Sequence, residues 1–291
     1  MKAYAWITIA LLLVSSLVLI FHLSATGREF SRYNVGWNGT SDFFSSLDRH
    51  TTRDIQTPSD LAGYRTTTLI VISPDREITA DDAAAYRDFV ARGNTLLLAD
   101  DFGSGDAFLR SLGSSIEIQP GNLSSVDRAY ADAYMVVVYP VGKGGLVPQN
   151  SSLVLDQAAT LTGGDPLLAT TFFSWVDTKP DRKLSAGEVL GRYEVMAQET
   201  IGNGTLYVLS DPSIFINGMH DQDGSAGNAI FLHAIAHAPA PLLVDTYASR
   251  TARGEGLGEI IHSVRSNDEY KFVIAVLLMA AILVAWHRRV I

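Results

Sequence analysis

The sequence predicts an α/β domain built on a mostly parallel sheet flanked by helices, with a β-rich insertion. Three observations predict it. Four short apolar runs recur between turn residues: Thr68–Ile72, Thr95–Ala99, Thr205–Leu209 and Leu242–Asp245. Continuous runs of this length suit strands buried on both faces, as in a parallel sheet. A well-signalled helix separates the first two runs, which makes a right-handed strand–helix–strand crossover. Between residues 115 and 195 the pattern changes to short strands separated by Gly, Pro, Ser and Asn turns.

In chain order, residues 3–27 come first and hold no Asp, Glu, Lys or Arg. The run is long enough to cross a bilayer, which needs about 20 apolar residues. A cleaved signal peptide would be shorter and end in a small-residue site, which Ser24-Ala25-Thr26-Gly27 matches poorly. Residues 1–27 are therefore expected to be an uncleaved anchor. The next stretch, Ser31 to Ser41, sets Asn34, Trp37 and Asn38 among Gly, Ser and Thr. It suits either a loop folded over the strand rim to bind a ligand, or a turn. In the second case Trp37 fills the core edge and Thr40 or Ser41 caps a helix. That helix is expected over Ser41–Arg49, burying Phe43, Phe44 and Leu47.

The crossover helix is read from its ends. Thr79 and Asp82 form a capping box, with Ile78 and Ala83 as the staple. Asp81 and Asp82 suit the positive first turn, Arg87 and Arg92 the last, and Gly93 the terminating left-handed position. Strands are expected at Tyr134–Tyr139, Leu153–Leu155 and Leu168–Phe173, and a helix from Asn228 to Ala238, stopped by Pro239. The domain is expected to span 28–247, with 115–195 as its elaboration and 248–269 as a juxtamembrane connector. Residues 270–291 read as a second span, Phe272–Trp286, followed by His287-Arg288-Arg289.

Two spans place both termini on one side. Lys2 and Arg288/Arg289 mark that side as cytoplasmic, so the main domain is expected outside the cytoplasm, on the cell membrane. Four sequons, at Asn38, Asn122, Asn150 and Asn203, are candidate glycosylation sites on an outward-facing domain.

Composition excludes whole classes. None of the 291 residues is cysteine. Disulfide scaffolds, thiolate zinc sites and Cys nucleophiles are out. A net charge of -9 argues against nucleic acid as a partner.

Open α/β sheets bind ligands outside the carboxyl ends of their strands. Here those ends are polar: Ser73, then Asp100 and Asp101, then Ser210 and Asp211 with Asn217 close behind, and finally Asp245. Together with Asn34, Trp37 and Asn38 they are the candidate ligand residues. If the strands are neighbours, Asp100, Asp101, Asp211 and Asp245 share one rim and could hold a divalent cation. The same carboxylates could instead close Asx turns and cap helices. No other motif supports catalysis. His233 and His237 sit one helical turn apart, but Ala234 stands where a metalloprotease needs glutamate. Gly142-Lys143-Gly144-Gly145 lacks phosphate-loop spacing, and no serine sits in a Gly-x-Ser-x-Gly elbow.

Three stretches carry a family resemblance: Ser31-Arg-Tyr-Asn-Val-Gly-Trp-Asn-Gly-Thr-Ser41, Arg92-Gly-Asn-Thr-Leu-Leu-Leu-Ala-Asp-Asp-Phe-Gly103 and Gly204-Thr-Leu-Tyr-Val-Leu-Ser-Asp-Pro-Ser-Ile-Phe-Ile-Asn217. They resemble DUF4350, a prokaryotic membrane-protein family of unknown function. The resemblance implies a flavodoxin-like, class I glutamine-amidotransferase-like fold without the amidotransferase reaction, whose cysteine is missing here. It also implies partners: a MoxR-type AAA ATPase and von Willebrand-type or transglutaminase-like proteins. Many relatives follow the last strand's Asp with an acidic residue and a His, whereas Asp245 precedes Thr246-Tyr247-Ala248. The expected function is a non-catalytic binding component of a cell-surface complex. The alternative is a metal-dependent hydrolase using the rim carboxylates. Carboxylates turned onto their own loops favour the first, and carboxylates converging on one point favour the second.

Overall fold

A computed structural model describes residue 15 and residues 26–143, 145–147, 149–220, 226–238 and 241–252. Residues Glu29–Ala252 form one compact unit, and the remainder of the chain is assigned to a second. The expected anchor and second span fall almost wholly outside the described residues, as does the connector beyond residue 252. Among the described residues no helix is long and apolar enough to cross a membrane. The expectation of a domain set between two transmembrane helices is therefore unsupported.

The sheet differs from expectation as well. It is a mixed sheet of eleven strands, not a mostly parallel one. The four apolar runs do form strands: β2 (Thr68–Ile72), β3 (Thr95–Ala99), β12 (Gly204–Leu209) and β13 (Leu242–Asp245). With β1 (Thr52–Ile55) they make a parallel half in the order β1-β13-β2-β3-β12. Beyond β12 every pairing turns antiparallel, through β11 (Glu194–Ile201), β9 (Asp165–Ala169), β6 (Met135–Pro140) and β7 (Leu153–Asp156). The switch occurs at the β11–β12 hairpin, where only Gly202 and Asn203 separate Ile201 from its partner Gly204. A two-residue loop reverses the chain and cannot make a parallel crossover. The insertion thus continues the same sheet. Short β4 (Glu117–Gln119) and β8 (Thr160–Thr162) pair beside it, and β5 (Asn122–Ser125) with β10 (Ser174–Asp177) forms a separate ribbon.

Side chains alternate across a strand, and the two faces bury different sets. One face holds Leu69, Val71, Leu96, Leu98, Val208 and Leu243 against α2 (Ala80–Ala91) and α3 (Gly105–Leu112). The other holds Ile70, Ile72, Leu97, Ala99, Leu209 and Val244 against α1 (Ser41–Ser46), the turns at 212–219 and α4 (Ala226–Ala236). Helix α2 has the predicted capping box, with Asp82 N–H donating to Thr79, and ends at Gly93 with φ +96°. Helix α1 is shorter than expected. Phe43 and Leu47 are buried, and Phe44 is half-buried beneath the Arg32 guanidinium. The expected strand through Phe173 stops at Ala169, and Phe172 and Phe173 lie on an exposed turn.

The far edge, β7, is closed by one side chain. The Asn228 amide accepts from Val154 N–H and donates to Val154 C=O, both at 2.9 Å. It pairs with the edge as a neighbouring strand would and blocks edge-to-edge association. Asn228 is fully buried, so Asn228→Asp removes a donor and sets a charge against a carbonyl. The expected cost is about 3 kcal/mol, read as a lower urea midpoint.

Candidate functional site

The polar residues do gather at the carboxyl ends of the parallel strands, but the pleat divides them. Leu96 and Leu98 face the α2/α3 side, so Asp100 does too, and Leu97 and Ala99 put Asp101 on the other. The same count places Ser210 and Asp245 with Asp100, and Asp211 with Asp101. The four carboxylates expected to share one site fall two to each face. Among the described residues no group of three His, Asp or Glu side chains is placed to hold a metal ion. The expected cation set is not assembled.

On the α2/α3 side, Asp245 is fully buried and fully used. Its Oδ2 accepts from Tyr86 Oη at 2.5 Å, and its Oδ1 from Ala248 and Ser249 N–H at 2.7 and 2.9 Å. Burial raises its carboxyl above the ordinary range, and also raises the Tyr86 phenol. Thr246 and Tyr247, which replace the acidic residue and His implied by the resemblance, are structural too. Thr246 Oγ1 donates to Ile55 C=O and Tyr247 Oη to Asp82. Ser210 Oγ lies within bonding distance of two backbone carbonyls, Ala159 before β8 and Val195 in β11. Ser73 ends β2 in a left-handed conformation, φ +44°, with its carbonyl accepting Arg250 N–H.

Asp100 is different. Its residue is fully buried, and Oδ2 accepts from Gly105 N–H at 2.6 Å at the start of α3. Oδ1 is buried with no hydrogen-bond partner. Burial pushes the carboxyl up to about 7, opposed by the Gly105 bond and by nearby Arg250. The carboxylate fits only because two neighbours lack side chains: a Cβ at Gly103 or Gly105 would lie within 2.7 Å of its atoms.

On the other face, Asp211 caps the 3-10 turn Pro212–Phe215. Its Oδ1 accepts from Ser213 N–H at 2.7 Å and its Oδ2 from Asp156 N–H at 2.8 Å. Burial raises its carboxyl well above the usual range, and the charge of Asp101 adds to that. Asp101 is half-buried, accepts from Phe102 N–H, and is raised for the same first reason. Asp156, at the end of β7, is the third member of this group and is likewise raised by burial. It was not among the sequence candidates, although it follows an expected strand as they do. Arg250 had no sequence signal.

The 31–41 segment is a braced loop. Asn34 Oδ1 accepts from Gly36 N–H at 2.8 Å, and Asn34 Nδ2 donates to Asn38 Oδ1 at 2.9 Å. Asn217 clamps it from across the chain. Its Nδ2 donates to Asn34 C=O, Gly36 C=O and Ser41 Oγ, and its Oδ1 accepts from Asp42 N–H. The Asn34 and Asn217 amides are committed to holding the loop. Thr40 N–H donates to Ser31 C=O, and the side-chain cap expected for α1 does not form. Trp37 does not fill the core edge: it is 68% exposed, and Phe102 beyond β3 is 50% exposed. Asn150 and Asn203 are exposed, whereas Asn38 and Asn122 are half-buried.

No curated protein sequence matches the chain. Among solved structures it is similar to the mmIFT52 N-terminal domain, at 16% identity over 62% of this chain and 78% of that one, TM-score 0.44. It is similar to a β-galactosidase from Bacillus circulans sp. alkalophilus at 14% identity over 60% of this chain, spanning 24% of that one, TM-score 0.37. The cytoplasmic protein STM1381 from Salmonella typhimurium LT2 gives 12% identity, 67% and 81% coverage, and TM-score 0.36. These likenesses are too weak to carry a functional argument. The family model matches over residues 32–236, and the chain belongs to the family described as a domain of unknown function, DUF4350.

Proposed function

We propose that residues 29–252 are a non-catalytic binding domain, an accessory component of a cell-surface complex. The observation that carries this reading is the division of the rim carboxylates. Asp245 and Asp211 are each bound to backbone N–H donors of adjoining turns, on opposite faces of the sheet. Groups held in this way shape the rim and do not converge on a substrate. Two large aromatics are exposed: Phe102 just beyond β3, and Trp37 on the 31–41 loop that Asn217 clamps. Large exposed aromatic side chains are the usual anchors of protein interfaces. Extracytoplasmic placement belongs to the same proposal, and its support is the sequence, in the apolar runs at 3–27 and 272–286.

The test is direct binding of the full chain to the MoxR-type ATPase and the von Willebrand-type or transglutaminase-like proteins that the resemblance implies. Trp37→Ala and Phe102→Ala are expected to weaken binding of one of them by at least about tenfold each, as buried interface aromatics do. Binding to none of them, or binding indifferent to both substitutions, overturns the reading.

A further inference from the structure

The geometry points to a second surface: the turn after β9, with its flanks, docks on an anionic lipid surface. Phe172 and Phe173 are adjacent on that turn and are 70% and 62% exposed. Val126 is exposed beside them, its N–H donating to Phe173 C=O at 3.0 Å. Tyr139, partly exposed, reaches the same place, its Oη bonded to Asp127. Two phenyl rings projecting from a turn are costly in water and form a wedge, the shape that enters the headgroup layer of a bilayer.

Charge selects the kind of surface. Arg128 stands two residues after Val126, and Arg192 lies opposite Phe173, one place beyond the Gly191–Ser174 bridge. Both are exposed, and neither is in an ion pair among the described residues. The chain as a whole is acidic, at -9, whereas this tip sets two exposed guanidiniums outside any ion pair against one carboxylate, Asp127, which is bonded to Tyr139 Oη. A basic rim around an apolar tip is complementary to acidic headgroups over acyl chains. This surface shares no residue with the strand-end rim, so it stands or falls separately from the binding reading given there.

The absence of cysteine makes the test clean. Full-length protein carrying Phe172→Cys, labelled with an environment-sensitive fluorophore, is reconstituted in vesicles of phosphatidylcholine alone or with phosphatidylglycerol added. Ser59→Cys, on the exposed turn Pro58–Gly63, is the control. The expected result is a blue-shifted label at 172, quenched several-fold less by aqueous iodide when phosphatidylglycerol is present, with no change at 59. Arg128→Gln with Arg192→Gln restores quenching while leaving the melting temperature unchanged. Equal quenching at 172 and 59 on both vesicles overturns the proposal. So does protection at 172 that survives the double substitution or persists in detergent without lipid, which would mark a protein contact.

Discussion

Asp100→Asn raises the melting temperature at pH 8 and leaves it nearly unchanged at pH 4. The carboxyl is fully buried, has one donor, Gly105 N–H, and leaves Oδ1 without a partner. Its folded value, about 7, lies above the ordinary 3.8. Between those values the unfolded chain releases the proton before the folded chain does, so stability falls as pH rises through this window. The loss amounts to roughly 4 kcal/mol for the charged form, or on the order of 10 °C for a domain of this size. A neutral amide does not undergo it. Burial raises Asp101, Asp156, Asp211 and Asp245 as well, and they steepen the same fall. Asp82 and Asp177 are held low by hydrogen bonds, despite some desolvation, and act in the other direction. Their contribution is present above about pH 4 and is lost on further acidification. Differential scanning fluorimetry from pH 3 to 8 checks the whole profile. A melting temperature that rises steadily from pH 4 to 8, or an Asn variant that tracks the parent, contradicts it.

The second large effect is expected at Asn217. One amide makes four hydrogen bonds to residues 34–42, at 2.7 to 3.3 Å. Asn217→Asp keeps the acceptor for Asp42 N–H but turns both backbone donations into repulsions between a carboxylate and the carbonyls of Asn34 and Gly36. Gly39 leaves the loop no room to shift, since a Cβ there would lie 1.8 Å from Asn34 C=O. The site is partly exposed, so solvent moderates the cost to about 2–3 kcal/mol. Because the loop's contacts with Phe30 and Thr251 are few, the local effect exceeds the global one. Limited proteolysis should cut within 31–41 in the variant and spare the parent. Equal cleavage of both, with equal denaturation midpoints, refutes the clamp.

The parallel half of the fold was legible because its signals are local. A five-residue apolar run and a Thr79–Asp82 capping box can be read without knowing their neighbours. Strand β11 could not be found in this way. Glu194-Val-Met-Ala-Gln-Glu-Thr-Ile201 mixes polar and apolar positions, and its place is set by pairing with β12 across Gly202-Asn203. That hairpin turned an expected parallel sheet into a mixed one. Helix α3 was missed because it is short and opens on Gly105, which is there to clear the Asp100 carboxylate. At the rim the residues were right and their grouping was not. Counting by two from Leu96 and Leu97 separates Asp100 from Asp101, but β3 ends at Ala99, so the count needs the structure beyond the strand to support it. Trp37 was placed by its hydrophobicity, yet the hydrogen bonds that shape the loop, Asn217 N–H to Gly39 C=O and Gly218 N–H to Trp37 C=O, turn it outward.

We propose that the rim carboxylates shape the fold and do not serve chemistry. The most direct test is a thermal-shift titration of the full chain with magnesium, calcium, manganese and zinc, beside Asp101→Asn and Asp211→Asn. A cation bound at 100 times its dissociation constant adds about 2.7 kcal/mol, or roughly 5–10 °C here. The expected result is no shift of that size with any of the four ions, and a melting temperature changed in Asp211→Asn whether or not a cation is present. A shift of roughly 5–10 °C with one ion, abolished in both variants, would make the rim a metal site and give its carboxylates a chemical role.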